Sequence, residues 1–238
     1  MRRFYNPFIK DSVEVFSFSR EETRHLQRVL RLNVGDEILV FDGVGNEYKS
    51  EIHEFKDKHA VAKIINKVEP KATESPLNLT LGVALIKGDK FDFAIQKAVE
   101  LGVSKLIPLI TVRSDVKTKN TEKKFERRKK IIVEASKQCE RATLMKTSTP
   151  VSFKHFAEKA KDTKIMFSER GGNSFSEINT GKNITAIIGP EGGWDNSEIK
   201  FALEKDFQVI TLGKRIMRAE TAVLSVAAIL QNQFGDLN

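Results

Sequence analysis

The chain has 238 residues, 40% hydrophobic and 30% charged, with a formal net charge of +8. That suits a soluble globular protein of one large or two small domains, and no apolar run approaches a membrane span. The single cysteine, Cys139, excludes an internal disulfide and a multi-cysteine zinc site and fits a reducing cytosol. His25, His53, His59 and His155 show no metal-ligand spacing, so no metal site is expected. The opening MRRFYNPF lacks an apolar core behind its arginines and does not read as a secretory signal. Acidic and basic residues balance over 1–70, so the whole positive excess lies in 71–238. From Arg113 to Lys130 nine residues are basic and three acidic. Such a run is either a solvated helix face or a segment facing a polyanion.

In chain order, Val13 to Phe18 alternates apolar and polar residues, as a half-buried strand does. Ser19 and Glu22 form a capping box for a helix over REETRHLQRVLRL, with Leu26, Val29 and Leu30 as its buried stripe. Arg24, Arg28 and Arg31 recur at i, i+4 and i+7, which predicts one exposed face. That face either grips a phosphate backbone or is ordinary solvated surface. Gly35-Asp36 turns into the strand EILVFD, GVGN at 43–46 makes a hairpin turn into EYKSEIHEF, and HAVAKIINKV is a further strand. Short strands with one helix predict a small β-barrel over residues 1–70. The proline-bearing EPKATESPLN marks a linker at about 68–77.

From residue 71 to 238 strands and helices alternate, which predicts an α/β domain with a mostly parallel sheet. LNLTLGVALI is a strand. Lys87-Gly88-Asp89 leads into the helix KFDFAIQKAVELG, with Phe91, Ile95, Ala98 and Leu101 on one side and Gly102 as its stop. VSKLIPLI follows as a strand, and the basic run passes into a helix carrying IIVEASKQCERA. Ser152 caps FKHFAEKA, and TKIMFSE, NITAIIG and FQVITLG are the remaining strands. Two of these end in glycine loops: IIGPEGGWDNSE, from Ile187 to Glu198, and FQVITLGKRIMRAETAVL, from Phe207 to Leu224. Gly192 and Gly193 are expected to need backbone angles closed to other residues and to keep the space above the turn clear. Asp195 with Glu198 predicts a capped helix start, and a helix begins at Ala219. Loops at the carboxyl ends of parallel strands are where α/β sheets bind ligands. Neither loop matches a nucleotide-phosphate cradle.

GPEGGWDNSE followed by a helix, a strand and LGKRIMRAETA resembles the SPOUT superfamily of knotted methyltransferases, and within it the RsmE family. HLQRVLRLNVGDEILVFDGVGNEY resembles that family's PUA-like RNA-binding domain. KGDKFDFAIQKAVELGVSKLIPLITVRS resembles its first strand–helix–strand segment. EASKQCER resembles its glutamate–glutamine–arginine helix, at Glu134, Gln138 and Arg141. Met217 stands where the family usually has leucine, a swap that conserves volume.

The resemblance implies a PUA-like barrel followed by a SPOUT domain with a C-terminal trefoil knot. It implies methylation of N3 of a uridine in 16S ribosomal RNA of the small subunit, and a cytoplasmic homodimer. S-adenosylmethionine would be held by Phe167, Ser168 and Glu169, by Gly189, Pro190, Glu191, Gly192 and Gly193, and by Leu212, Gly213, Ile216 and Met217. Arg218 would stabilise the uridine anion; the alternative is a salt bridge to Glu220 or Glu191. Arg2, Arg3, Arg24, Arg28, Arg31 and Arg141 are the expected RNA contacts. Ribose 2′-O methylation of another RNA, or RNA binding without catalysis on a relic cofactor fold, remain the alternative readings.

Overall fold

A computed structural model describes residues 2–114, 120–175 and 181–237. Residues 115–119 of the basic run lie outside them. The chain divides into two compact units. The first is Met1–Glu74 with Ser136–Leu144, and the second is Ser75–Ala135 with Met145–Asn238.

In the first unit, the alternating segments pair as strands β1 (Arg2–Tyr5), β2 (Val15–Ser17), β3 (Glu37–Phe41), β4 (Glu47–Lys56) and β5 (His59–Val68). Their order in the sheet is β1-β3-β4-β5-β2, with β1 parallel to β3 and the other pairs antiparallel. Alternate residues point inward, and Phe4, Phe16, Phe18, Ile38, Val40 and Ile52 fill one core with Leu26. Phe18 meets Phe4 and Phe16 edge-on, with ring centroids at 5.6 and 5.2 Å. The Asp42 carboxylate shapes the GVGN turn by accepting from the amides of Val44 and Asn46 at 2.8 and 3.0 Å.

The helix after Ser19 departs from the expected single α-helix. Ser19 does cap it, accepting from the Glu22 amide at 3.1 Å. The α-helix α1 covers only Arg20–Arg24, and His25–Val29 form a π turn, with the Leu30 amide donating to the His25 carbonyl at 3.1 Å. The wider turn shifts the register. Leu26 stays fully buried, but Val29 is 65% exposed and is not part of the buried stripe. Arg31 lies beyond the helix at φ 55°, so the i, i+7 spacing does not carry an α-helical face.

Segment Ser136–Leu144 docks on this unit through the same hairpin. The Leu144 amide donates to Gly43 O at 2.9 Å, and the Gly45 amide donates to Ala142 O at 3.2 Å. Arg3 donates to the carbonyls of Ser136 and Arg141 at 2.8 and 3.3 Å and pairs with Glu47. Arg141 holds Glu74 by Nε and Nη2 at 3.1 and 2.6 Å.

The second unit carries a parallel sheet of β6 (Asn78–Ala84), β7 (Lys105–Ile110), β8 (Lys146–Thr147), β9 (Val151–Ser152), β10 (Thr163–Phe167), β11 (Asn183–Ile188) and β12 (Gln208–Ile210). Its order is β12-β10-β11-β6-β7-β8, with β9 also beside β7. The helices are α2 (Lys90–Glu100), α3 (Thr121–Gln138), α4 (Phe153–Lys159), α5 (Asn196–Glu204) and α6 (Ala219–Phe234). Residues Ile184 to Ile188 are buried without interruption, as a central parallel strand covered on both faces requires. The core formed by Ile107, Leu109, Phe153, Met166, Ile187, Trp194 and Phe207 joins α4 and α5 to the sheet. Since β10 lies between β11 and β12, the chain leaves all three strands from neighbouring positions at one edge.

Tyr48 is buried and donates its phenol proton to Asp11 Oδ1 at 2.8 Å. Burial first, and then the hydrogen bond to Asp11, push its pKa up to about 12 from the ordinary value of 10.0. A raised folded-state pKa means stability that is complete below the unfolded value and lost as pH climbs through the folded one. The parent should lose stability from pH 10 toward 12 more steeply than Tyr48→Phe, which has no such proton to lose. Urea unfolding of both proteins across that range measures the difference. Parallel curves would show that Tyr48 does not contribute.

Candidate active site

The site grows from the carboxyl ends of β10, β11 and β12. Phe167 closes β10, and its carbonyl accepts from the Trp194 indole Nε1 at 2.8 Å. Trp194 is 3% exposed and lies against Phe153, centroid to centroid 5.3 Å. That bond ties the loop after β11 to the end of β10. The Ser168 amide donates to Ile210 O at 2.9 Å, and the Gly172 amide donates to Thr211 Oγ1 at 3.0 Å, which tie the loop after β10 to the end of β12.

The turn within GPEGG closes with the Gly193 amide donating to Pro190 O at 2.9 Å. Gly193 has φ +68°, and a Cβ there would run into the Glu169 carboxylate. Gly192 corrects the sequence expectation. Its φ is not in the left-handed region, and a Cβ would only touch the Arg113 side chain at 3.4 Å. The constraint rests on Gly193, together with Gly189, whose Cβ would come within 3.1 Å of the Trp194 ring.

Arg113 braces this turn from β7's side, donating to Gly192 O and to Asp195 Oδ2, each at 3.2 Å. Asp195 caps α5 in a full capping box with Glu198. The Ser197 hydroxyl and amide, and then Arg113, hold the Asp195 carboxyl below the usual carboxylate range. Glu198 is buried; one oxygen accepts from the Asp195 amide at 3.1 Å and the other from the Val112 amide at 2.9 Å.

These loops enclose a cavity of about 390 Å³, in the range of small-molecule sites. Phe167, Ser168 and Glu169, Gly189 to Gly193, and Leu212, Ile216, Met217 and Arg218 all line it. Gly213 does not; it is exposed at φ 66°, turning the chain outside the wall. The sequence reading missed Ile188, Arg215, Ala219, Ala222 and Val226, which complete the lining. Ala219, Ala222 and Val226 stand at i, i+3 and i+7 on α6, so helical periodicity carried the signal for them. Ile216 is 65% exposed at the lip.

Arg218 is the N-cap residue of α6 and is exposed. Among the described residues no carboxylate pairs with it. Glu220 pairs instead with Lys90 at 3.6 Å, and Glu191 Oε1 accepts from the Lys87 amide at 3.4 Å. The salt bridges weighed for Arg218 are therefore absent among the described residues.

Arg2, Arg24, Arg28 and Arg31 are exposed. Arg3 and Arg141 are corrections. Their side chains are 6% exposed and are spent on Glu47 and Glu74 inside the first unit, so neither presents its charge to RNA.

The chain joins a β-rich first unit to a parallel α/β unit with its cavity at adjoining strand ends, and the family models that match both parts define the class as a two-domain RNA methyltransferase. Residues 73–231 match the model of the RNA methyltransferase domain, and residues 18–65 match that of the RNA methyltransferase PUA domain. Ribosomal RNA small subunit methyltransferase E of Buchnera aphidicola subsp. Schizaphis graminum is 32% identical over 99% of this chain and 98% of its own length. The Bacillus subtilis protein of that name is 31% identical over 98% and 97%. The crystal structure of the Neisseria gonorrhoeae protein of that name, bound to S-adenosylmethionine, superposes with TM-score 0.93 at 33% identity over 100% of both chains. A putative methyltransferase of Legionella pneumophila with bound S-adenosylmethionine gives 0.92 at 31% identity, over 99% of this chain and 98% of that one. The chain belongs to the ribosomal RNA small subunit methyltransferase E family.

The two glycines of the turn should behave differently. Gly193→Ala should cost about 1–2 kcal/mol, because alanine resists the left-handed backbone. Gly192→Ala should stay within about 0.5 kcal/mol of the parent. Chemical denaturation of each variant gives both numbers, and equal losses would refute the assignment of the constraint to Gly193.

Proposed function

We propose that the chain methylates N3 of a uridine in 16S ribosomal RNA of the small subunit, using S-adenosylmethionine, in the cytoplasm and as a homodimer. The observation that carries this reading is Arg218, a guanidinium with no partner among the described residues, at the wall of a cavity made by three strand-end loops. The cavity fits the cofactor by its chemistry. Ile188, Ala222 and Val226 supply apolar surface, and glycine loops bring backbone groups close. Gly189 stays bare because the Trp194 ring fills the space its side chain would need. The uridine atom rests on the family resemblance together with this site; the homodimer and the knot rest on the resemblance alone. Among the described residues no helix is long and apolar enough to cross a membrane.

When bound, S-adenosylmethionine supplies a methyl group on a positively charged sulfur. The protein's task is then to place the uridine N3 in line with that carbon and to keep it nucleophilic. Neutral uridine carries a proton on N3, and attack needs the anion. Arg218 favours the deprotonated ring by placing positive charge where negative charge develops. Glu220 is not part of the cavity wall and is engaged with Lys90, so the N3 proton is taken to leave to water.

Arg218→Ala should fold, bind the cofactor and lose methyl transfer by roughly a hundredfold or more, the scale of one missing charge-stabilising donor. Raising the pH should partly restore it, because loss of the N3 proton then needs less help. Arg218→Lys should rescue in part, since charge remains without the planar fork. Single-turnover methylation of the small-subunit substrate at several pH values tests all three. Full activity in the alanine variant, or equal loss of cofactor binding, would overturn the role.

The exposed Arg24, Arg28 and Arg31 are read as contacts to the RNA backbone. Replacing all three with alanine should weaken RNA binding and flatten its dependence on salt, with cofactor affinity unchanged. A parental salt slope would return them to ordinary solvated surface.

A further inference from the structure

The second unit holds another cavity, of about 250 Å³, between the start of α2 and α3. Phe91, Asp89 and Asp92 line it from α2's first turn, and Lys124, Arg127 and Arg128 line it from α3. Its cations are not equivalent. Arg127 is held twice, by Asp89 Oδ1 at 2.9 Å and by Asp92 Oδ2 at 2.6 Å. Those bonds occupy both acidic side chains of the wall. Arg128 is different: it is 5% exposed, and its Nη1 is buried with no hydrogen-bond partner. Its guanidinium lies over the Phe91 ring, 4.4 Å from the centroid, a contact that leaves its Nη1 without an oxygen acceptor. Burial works against the charged form and Asp92 works for it.

A buried guanidinium with an idle donor is costly, and charged donors of this kind are normally matched to an acceptor. The surroundings favour an anionic one. Lys124 is exposed at the cavity edge and makes no ion pair among the described residues. The α2 helix, eleven residues long, presents its positive end here, and Asp89 makes no side-chain cap to it. A planar fork, a mobile ammonium and a helix N-terminus together match the tetrahedral oxygens of a phosphate.

We propose that this cavity is a phosphate-binding site in which Arg128, Lys124 and the start of α2 hold one phosphate group. It lies apart from the walls of the methyl-transfer cavity, and no lining residue is shared. That the phosphate belongs to the backbone of the RNA substrate rests on the reading under Proposed function. A free phosphate would meet the same donors.

The variants are Arg128→Gln, which removes the buried charge, and Lys124→Ala, a surface change that keeps the question open should the first fail to fold. Two titrations separate the sources. With a single-stranded oligoribonucleotide, each lost phosphate contact should reduce the slope of log affinity against log salt by about 0.7. With inorganic phosphate, calorimetry should show binding by the parent that both variants weaken at least tenfold. A reduced slope supports a phosphate of the strand. An unchanged slope with weakened inorganic phosphate binding supports a free phosphate in the same cavity. Parental behaviour of both variants in both titrations overturns the site. Methylation by the parent, measured alongside, reports on the proposed function separately: an active parent with unaffected variants sinks the cavity alone.

Discussion

The second unit depends on one hydrogen bond between an indole and a carbonyl. Trp194 Nε1 reaches Phe167 O at 2.8 Å in a buried setting, where an unmatched carbonyl would be expensive. The bond joins the ends of β10 and β11, and it requires the ring to lie beneath Gly189. Any side chain at 189 would press on the ring at 3.1 Å, and the ring also packs on Phe153 in the core below. The GPEGG turn is thus anchored from underneath, which leaves its upper surface open to the cavity. The floor of the site is hydrophobic core.

The same turn is held from the side by a polar chain that starts at β7. Arg113 bonds Gly192 O and Asp195, Asp195 caps α5, and Glu198 closes the box and takes the Val112 amide. Each acceptor in the chain has a donor, so the network specifies one geometry. Gly189 to Asp195 are thus braced from below and from the side, and the third loop, Leu212 to Arg218, is held differently. Ile216 and Arg218 in it are exposed, and neither has a tertiary hydrogen bond among the described residues. The loop that carries Arg218 is the less braced part of the wall.

Most strands and helices were readable from periodicity, because the longer parallel strands are continuous apolar runs and the helices have clear stops such as Gly102, whereas β1, β8 and β9 are too short to show a period and were not read. The capped starts at Ser19, Ser152 and Asp195 were readable from residue type alone, and all three caps are present. What one sequence hides is local register. Nothing in REETRHLQRVLRL announces a π turn, and that turn exposes Val29 and carries Arg31 off the helix. Backbone angle is hidden too. Gly192 and Gly193 look alike as letters, and only φ at 193 separates the required glycine from the tolerant one. The strand-end loops were visible as glycine breaks, whereas the α6 wall was readable only as one periodic face of an apolar helix, which does not say whether that face meets core or cavity.

Charge shows the same limit from another direction. A net +8 points to a polyanionic partner but not to the residues that meet it. Arg3 and Arg141 sit in sequence contexts as inviting as any other, yet both close contacts inside the first unit. Arg127 and Arg128 are adjacent and chemically identical; two carboxylates saturate the first, while a buried Nη1 of the second has no acceptor. A cation already neutralised adds little to binding, because a new anion must displace its partner. A cation desolvated without a hydrogen-bond acceptor has met that cost during folding, so a phosphate that reached it would displace no partner. Burial and pairing separate the positive charges: Arg218 and Arg128, on which the proposals rest, have no carboxylate partner among the described residues, whereas Arg3 and Arg141 are used by the chain to hold itself together.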